Sequence, residues 1–257
     1  MATGNNQAWK MLREYKADFH IHSCLSPCGD IQMTPKMIVA QAKSSGLDAI
    51  CICDHNSSEN SFTASKIAGE QGVSLLFGME VNSKEEVHIL ALFDDEKGLY
   101  ELQKTVYDNL PGENDDDTFG YQMVINEDDE IVELNERLLI GATDLSVEKI
   151  VDIIHENGGL AIASHVDRER FSLIGQLGFI PPGLKLDAVE LSPRYISQSK
   201  KYDFPLATGI PQLTFSDAHF LHDIGKTFTI FNIEEVSVSE IKKALENKDG
   251  RSVAAYS

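Results

Sequence analysis

Short apolar runs that alternate with amphipathic helical stretches constrain this chain more than any other feature. Ala17 to His22 and Asp48 to Cys53 read as strands; between them Thr34 and Pro35 supply an N-cap and a first helical residue, and Gly46 a stop. Ser74 to Val81 and Val87 to Phe93 continue the strands, and a helix is predicted over Glu96 to Asp108. A further helix runs from Ser146 to Asn157, closed by Gly158-Gly159. Leu160 to Ser164, Asp187 to Leu191, Leu213 to Ser216 and Thr227 to Ile233 add strands, and a last helix covers about Ser237 to Asn247. Strand then helix with short links argues a mostly parallel sheet. About seven such units in 257 residues predict an α/β fold closed into a distorted barrel, with an open doubly wound sheet as the alternative. No internal repeat or Pro/Gly-rich linker divides the chain, so residues 1–257 read as a single domain.

Charge is the unusual entry in the composition. Lys+Arg number 22 against 41 Asp+Glu, a net charge of −19. A surface this acidic is expected to repel a nucleic-acid backbone, whose binding depends on Lys and Arg displacing counterions, and to disfavour anionic membranes. The expected partner is a small phosphorylated substrate, with no long nucleic acid and no membrane. Gly112 to Glu136 carries Glu113, Asp115, Asp116, Asp117, Glu127, Asp128, Asp129, Glu130, Glu133 and Glu136 and no Lys or Arg. This run marks residues 109–145 as an acidic insertion, either a solvated loop or a lid over a metal-rich site. The N-terminal residues 1–7 are polar and no apolar run reaches 18 residues, so neither a secretory leader nor a membrane span is expected. The 4 cysteines (Cys24, Cys28, Cys51, Cys53) form no disulfide framework and no CxxC pair, which points to the reducing cytoplasm.

The chemistry concentrates at strand ends. Along the chain come Phe19-His20-Ile21-His22, Cys53-Asp54-His55-Asn56, Gly78-Met79-Glu80-Val81, Val87-His88-Ile89, Ala163-Ser164-His165-Val166 and Phe215-Ser216-Asp217-Ala218-His219. Barrels of this class place active sites at the C-terminal ends of their strands. On a strand, residues i and i+2 share a face, so His20 and His22 can reach one metal, and Asp217-x-His219 repeats the device. Taken alone, His88 reads as a hydrogen-bonded core histidine and Glu80 as a surface carboxylate. Those readings fail when they must hold at six places together, because buried imidazoles and carboxylates need partners, and cations supply them. His155 lies inside a predicted helix and carries no assignment; His222 reads equally as a support residue or a loop residue.

The ordered set FHIHS, CDHN, GMEV, VHIL, ASHVD and FSDAH, spanning residues 18 to 222, resembles the polymerase-and-histidinol-phosphatase (PHP) superfamily of metal-dependent phosphoesterases. The resemblance implies a distorted (β/α)7 TIM-like barrel with two or three metals at the C-terminal face. It implies a first metal on His20, His22, Glu80 and Asp217, and a second sharing Glu80 and adding His88 and His165. A third takes His55, His219 and one ligand from the loop after His22. Relatives place a His or Asp five or six residues beyond the second histidine of FHIHS, where this chain has Pro27 and Cys28, followed by Gly29-Asp30. Asp30 is the first choice for that ligand and Cys28 the second; as a thiolate Cys28 would favour zinc or iron.

Histidine-plus-carboxylate ligation suits Zn, Fe or Mn better than Mg or Ca. Two or three such ions would support hydrolysis of a small phosphomonoester or nucleotide by a metal-bridging hydroxide, with Glu80, His165 and Asp217 as the catalytic set. Arg168 and Arg170 follow His165, and Arg194 follows the strand ending at Leu191; Arg168 and Arg194 are the candidates for substrate oxygens. Alternatives are a phosphodiesterase or exonuclease acting on short oligonucleotides, a C–N hydrolase, and a non-catalytic metal-holding accessory protein. No GxSxG and no phosphate-loop sequence occurs, so serine-hydrolase and nucleotide-kinase readings have no support.

Overall fold

A computed structural model describes residues 11–197 and 209–256; the polar stretch 1–7 lies outside the described residues. The first half runs β1 (Arg13–Ile21), α1 (Pro35–Ser44), β2 (Ala49–Ile52), α2 (Glu59–Gln71), β3 (Ser74–Asn82), β4 (His88–Phe93), α3 (Glu96–Asp108), α4 (Asp116–Phe119), β5 (Met123–Ile125) and β6 (Ile131–Leu134). The second runs α5 (Val147–Glu156), β7 (Leu160–Ala163), α6 (Leu173–Leu177), β8 (Ala188–Leu191), α7 (Pro193–Ser197), β9 (Gln212–Thr214), β10 (Thr229–Ile233), α8 (Val238–Leu245) and β11 (Ser252–Tyr256). Helices α1, α5 and α8 begin at Thr34, Ser146 and Ser237, whose hydroxyls accept from Met37 N, Lys149 N and Glu240 N at 3.4, 3.3 and 3.3 Å. Helix α2 escaped the sequence reading because its buried face is made of Asn60, Ser61, Thr63, Ala64 and Ala68, which leave no apolar stripe to read.

Nine strands form one sheet in the order β11-β10-β1-β2-β3-β4-β7-β8-β9. The expectation of a mostly parallel sheet is corrected. Strand β4 runs antiparallel to both β3 and β7, and β10 antiparallel to β1 and β11, while β1-β2, β2-β3, β7-β8 and β8-β9 are parallel. The reason is link length: residues 83–87 turn tightly, with Ser83 N donating to Val87 O at 2.9 Å, and a parallel crossover needs a dozen or more residues. In place of a regular closed barrel, the sheet curls into a half-barrel. Its open side is crossed by an exchange between Thr214 N and Thr229 Oγ1 (3.0 Å) and between that hydroxyl and Thr214 O (2.8 Å), and by a single bridge from Ile21 to Ala218.

Strand alternation sorts the side chains into an interior and two outer faces. The interior packs Phe19, Leu76, Leu90, Leu92, Ile162, Leu213, Phe215 and Phe231, with Ile241 and Leu245 of α8 at its base. Outside, α3 and α5 cover Met79, Ile89, Ala163 and Val189, while residues of α1 and α2 cover Ile21, Ile50 and Ile52. A register shift between Asp18 and Ile21 changes which residues of β1 face inward: Tyr15, Ala17 and Phe19 join the interior cluster, yet Ile21 joins the outer one. That bulge lets His20 and His22 continue the interior above Phe19.

The acidic stretch is ordered and docked. Ile125 N donates to Asn60 Oδ1 (2.9 Å), Asn60 Nδ2 to Met123 O (3.0 Å), and Asn56 Nδ2 to Leu139 O and Gly141 O (both 2.8 Å). Its acids face outward while Gln122, Ile125, Asn135 and Leu139 are buried. Among the described residues, no helix is long and apolar enough to cross a membrane.

Candidate metal centre

Following each inward row up the half-barrel, the chemistry changes at the same height. Leu76 and Gly78 give way to Glu80, Leu92 and Leu90 to His88, Ala188 to Glu190, and Leu213 and Phe215 to Asp217. His88 is at the N-terminal end of its strand, which meets the others because β4 is reversed. His165 and Asp217 follow their strands in left-handed backbone, φ 31° and 47°, a conformation that costs a non-glycine residue energy and recurs at functional sites.

Glu80 stands at the centre. Its Oε1 lies 3.3 Å from His20 Nε2, 3.2 Å from His88 Nδ1 and 3.4 Å from His165 Nε2; its Oε2 lies 3.1 Å from His55 Nδ1 and 3.5 Å from His22 Nε2. Asp217 Oδ1 lies 3.4 Å from His20 Nε2, 3.2 Å from His22 Nε2 and 3.8 Å from His219 Nδ1. All of these except His219 are buried. Neither oxygen of Glu80 nor Nδ1 of His88 makes a hydrogen bond with acceptable geometry. Buried polar atoms left so are costly unless something else satisfies them. Ligand atoms around one ion with bonds of about 2.1 Å stand about 3.4 Å apart, so these separations suit a shared cation. Among the described residues, three groups could hold a metal: His20, His22 and Asp217; His55, Glu80 and His88; and His22, Cys28, His55 and His219. His165 joins none of them by these distances and contacts the cluster through Glu80.

Electrostatics follow the crowding. Burial alone would lower the pKa of His20, but Glu190, Glu80 and Asp217 around it raise it well above the usual imidazole value. Burial would raise Glu80, yet His88 and His20 hold it well below the carboxylate range. Burial, His219 and His55 push His22 well down, and burial takes His88 to about 4. His22 and His88 are thereby held neutral beside an ionised Glu80, the states in which both kinds of group bind metals, whereas His20 has to give up its proton to a bound cation.

The remaining residues divide clearly. Arg168 is 44% exposed and pairs through a guanidinium nitrogen with Asp217 Oδ2 at 2.5 Å. Arg194 lies exposed on α7, and among the described residues no ion pair or hydrogen bond joins its side chain to the cluster. Asp30 does not join the cluster: its Oδ1 accepts from Gln32 N at 2.9 Å, and Cys28 stands with the imidazoles in its place. His155 pairs with Asp187 at 2.7 Å, at the opposite end of β8, and His222 is 71% exposed beside Asp223.

Two supports were missed in the sequence. Glu190 is fully buried and takes His20 Nδ1 at 2.9 and 3.1 Å, as well as His165 N at 3.2 Å. Asp54 accepts from Ser23 N, Ser23 Oγ and Ser26 Oγ at 2.7, 2.6 and 2.7 Å, and Ser26 Oγ meets His22 Nδ1 at 3.1 Å. Carboxylates behind ligating histidines fix their tautomer and orientation.

A PHP domain model matches residues 18–176. An uncharacterized protein of Methanocaldococcus jannaschii is 28% identical over 188 residues, 70% of this chain and 82% of its own. A lesion-specific endonuclease from Pyrococcus furiosus superposes with TM-score 0.73 at 22% identity over 95% of this chain. An endonuclease Q complex with a 27-mer duplex bearing an abasic lesion at the active site gives 0.69 at 21% identity, also over 95%. The chain spans 58% and 59% of the length of those two. A two-domain protein of Bacteroides vulgatus containing a predicted PHP-like metal-dependent phosphoesterase gives 0.54 at 18% identity, over 96% of this chain and 68% of its own. The duplex complex corrects the expectation that acidity excludes long nucleic acid, since a chain of this fold holds one. Net charge averages a whole surface and does not fix the local charge at a site, where Arg168, 44% exposed, pairs with Asp217. With the family model covering more than half of the chain and the motif residues converging on one buried cluster, the chain belongs to the PHP family of metal-dependent phosphoesterases.

Proposed function

We propose that His20, His22, His55, Glu80, His88, His165, Asp217 and His219 hold two or three zinc, iron or manganese ions, and that the chain hydrolyses the phosphoester of a nucleotide. The observation that carries this reading is Glu80, ringed by five imidazole nitrogens at 3.1–3.5 Å with both oxygens otherwise unsatisfied. Ions bound there supply a water acidic enough to attack at neutral pH and positive charge for the phosphoryl oxygens. The protein's own side chains do the rest. Glu80 presents one oxygen to each side of the cluster; His165, just past β7, approaches it, and Asp217, past the end of β9, meets His20 and His22. Glu190 engages His20 Nδ1 and leaves Nε2 free to ligate. Arg168 keeps one guanidinium nitrogen on Asp217 and its exposed remainder for a phosphate oxygen.

Aromatic faces favour a nucleotide over a sugar phosphate. Phe171, 39% exposed, stacks on His88 with centroids 4.9 Å apart and planes at 19°; Phe220, 46% exposed, stacks on His222. Nucleobases stack on exposed rings of this kind. A second reading, cleavage of a phosphodiester within a strand, draws on the fold shared with the duplex-bound endonuclease. C–N hydrolysis and a non-catalytic accessory role give way to family membership.

The test is hydrolysis of a panel with Mn, Fe or Zn added under anaerobic conditions, alongside His165→Ala. The panel holds nucleoside monophosphates, a bis-phosphonucleoside, sugar phosphates, a single-stranded oligonucleotide and a duplex with an abasic site. Release from nucleotides, lost in His165→Ala and weakened in KM by Phe171→Ala, supports the first reading. Cleavage confined to the strands selects the second, and silence from every member with metal bound removes both.

A further inference from the structure

The loop between β1 and α1 is built to hold one side chain in place. Cys24 N donates to Met33 O (2.8 Å), Gly29 N to Ser26 O (2.9 Å) and Asp30 N to His219 O (2.9 Å), while Asp54 grips Ser23 and Ser26 from below. Residue 29 must be glycine here, since a Cβ would stand 2.3 Å from Ser23 O. The side chain so placed is Cys28. Its sulfur and one ring nitrogen each from His22, His55 and His219 all lie within 4.8 Å of one another. Cys24, Cys51 and Cys53 are buried, Cys51 and Cys53 in the interior apolar cluster, whereas Cys28 is the exposed one. Asp30, the oxygen donor nearest in sequence, is turned onto Gln32 N.

The donor chemistry of this corner therefore differs from that around Glu80. There, carboxylate oxygens mix with imidazoles; here, a sulfur meets imidazoles with no carboxylate in the group. Thiolate is a soft ligand, and sulfur with nitrogen in a four-donor group is the set that zinc and ferrous iron take up in preference to manganese or magnesium.

We propose that Cys28, with His55 and His219, forms a thiolate-bearing metal site beside the Glu80 centre that selects zinc or ferrous iron over manganese. It deepens the metal-centre reading above and rests on it. His22, whose Nε2 also faces Asp217, sits between the two sites and belongs to both groups.

The test is titration of the metal-free full chain with cobalt(II), followed by absorbance in the near ultraviolet, where thiolate-to-cobalt charge transfer appears, and by metal content per chain. The wild type is expected to develop the band. Cys28→Ser is expected to lose it together with one metal equivalent, while Cys24→Ser keeps both. Cys28→Asp is expected to regain the equivalent without the band and to take manganese in competition with zinc more readily than the wild type does. A band that persists in Cys28→Ser, or cobalt that binds the wild type with no band, overturns the thiolate site and leaves the Glu80 centre standing. A wild type that binds no cobalt at all overturns both. Circular dichroism on each variant separates loss of metal from loss of fold.

Discussion

The two ends of the half-barrel interior are made by the same strands under the same alternation, and they do opposite things. At the lower end Leu76, Leu92, Leu213 and Phe215 are buried against one another and against α8. One or two alternations higher, Glu80, His88, Glu190 and Asp217 are also buried. Burial stabilises the first set, by roughly 1.5–3 kcal/mol for each large side chain. It destabilises Glu80 and His88 in the second set, whose carboxylate oxygens and Nδ1 lose water without gaining hydrogen bonds. The lower end holds the fold together, and the upper end gathers, in the finished fold, side chains that could bind metal ions.

Substitutions at each end should break that comparison in different ways. Glu80→Gln is expected to have the largest effect. Replacing a carboxylate that serves the whole cluster should cut hydrolysis about 10³–10⁴-fold, or roughly 4–5 kcal/mol of barrier, and lower metal content, with little change in the unfolding of metal-free protein. Steady-state rates and metal analysis check it. Phe215→Ala, two residues from Asp217, should do the reverse. It is expected to cost about 3–5 kcal/mol of stability in denaturant unfolding while metal per folded chain stays the same.

Glu190→Gln sharpens the boundary between the ends. It keeps the volume, and it weakens only the grip on His20 Nδ1 and His165 N. Metal affinity, read by competition with a chelator, should fall about 10–100-fold. The smallest effect belongs to Glu240, on α8 and away from the cluster. Burial would raise its pKa, but Arg251 and Lys243 bring it down to about 2 from the ordinary 4.5. A carboxylate depressed in the folded state contributes stability that is fully present above about pH 4.5 and is lost as pH falls towards 2. Glu240→Gln should lose about 1–3 kcal/mol at neutral pH and flatten the stability curve across that window, with metal content unchanged.

The upper end was readable in the sequence because residues i and i+2 of a strand share a face, and His20-x-His22 writes that spacing openly; Asp217-x-His219 shows the same spacing but lies past the end of β9. Glu190 was not readable. It is the one acid in the strand Ala188–Leu191, and nothing in those four residues separates an inward carboxylate from a solvated one. Asp54 lay in view beside His55, but its work is done on Ser23 and Ser26 some thirty residues earlier. That Cys28, and not Asp30, stands beside the imidazoles follows from loop hydrogen bonds that spacing does not encode. The reversal of β4 could have been read from a link of five residues, 83–87, which is too short for a parallel crossover. The half-barrel's seam is different: it depends on Thr214 meeting Thr229 and on the Ile21 to Ala218 bridge, pairings between distant segments that share no local signal.

The most direct test of the central claim is crystallographic. Crystals of metal-reconstituted protein, measured at the absorption edge of the added zinc or manganese, locate every bound ion by its anomalous scattering. The account predicts peaks on both sides of the Glu80 carboxylate, each about 2.0–2.2 Å from one of its oxygens and ringed by the imidazoles of His20, His22, His55, His88 and His165. Peaks that lie elsewhere, or a Glu80 carboxylate that touches no ion while the protein hydrolyses its substrate, would contradict it.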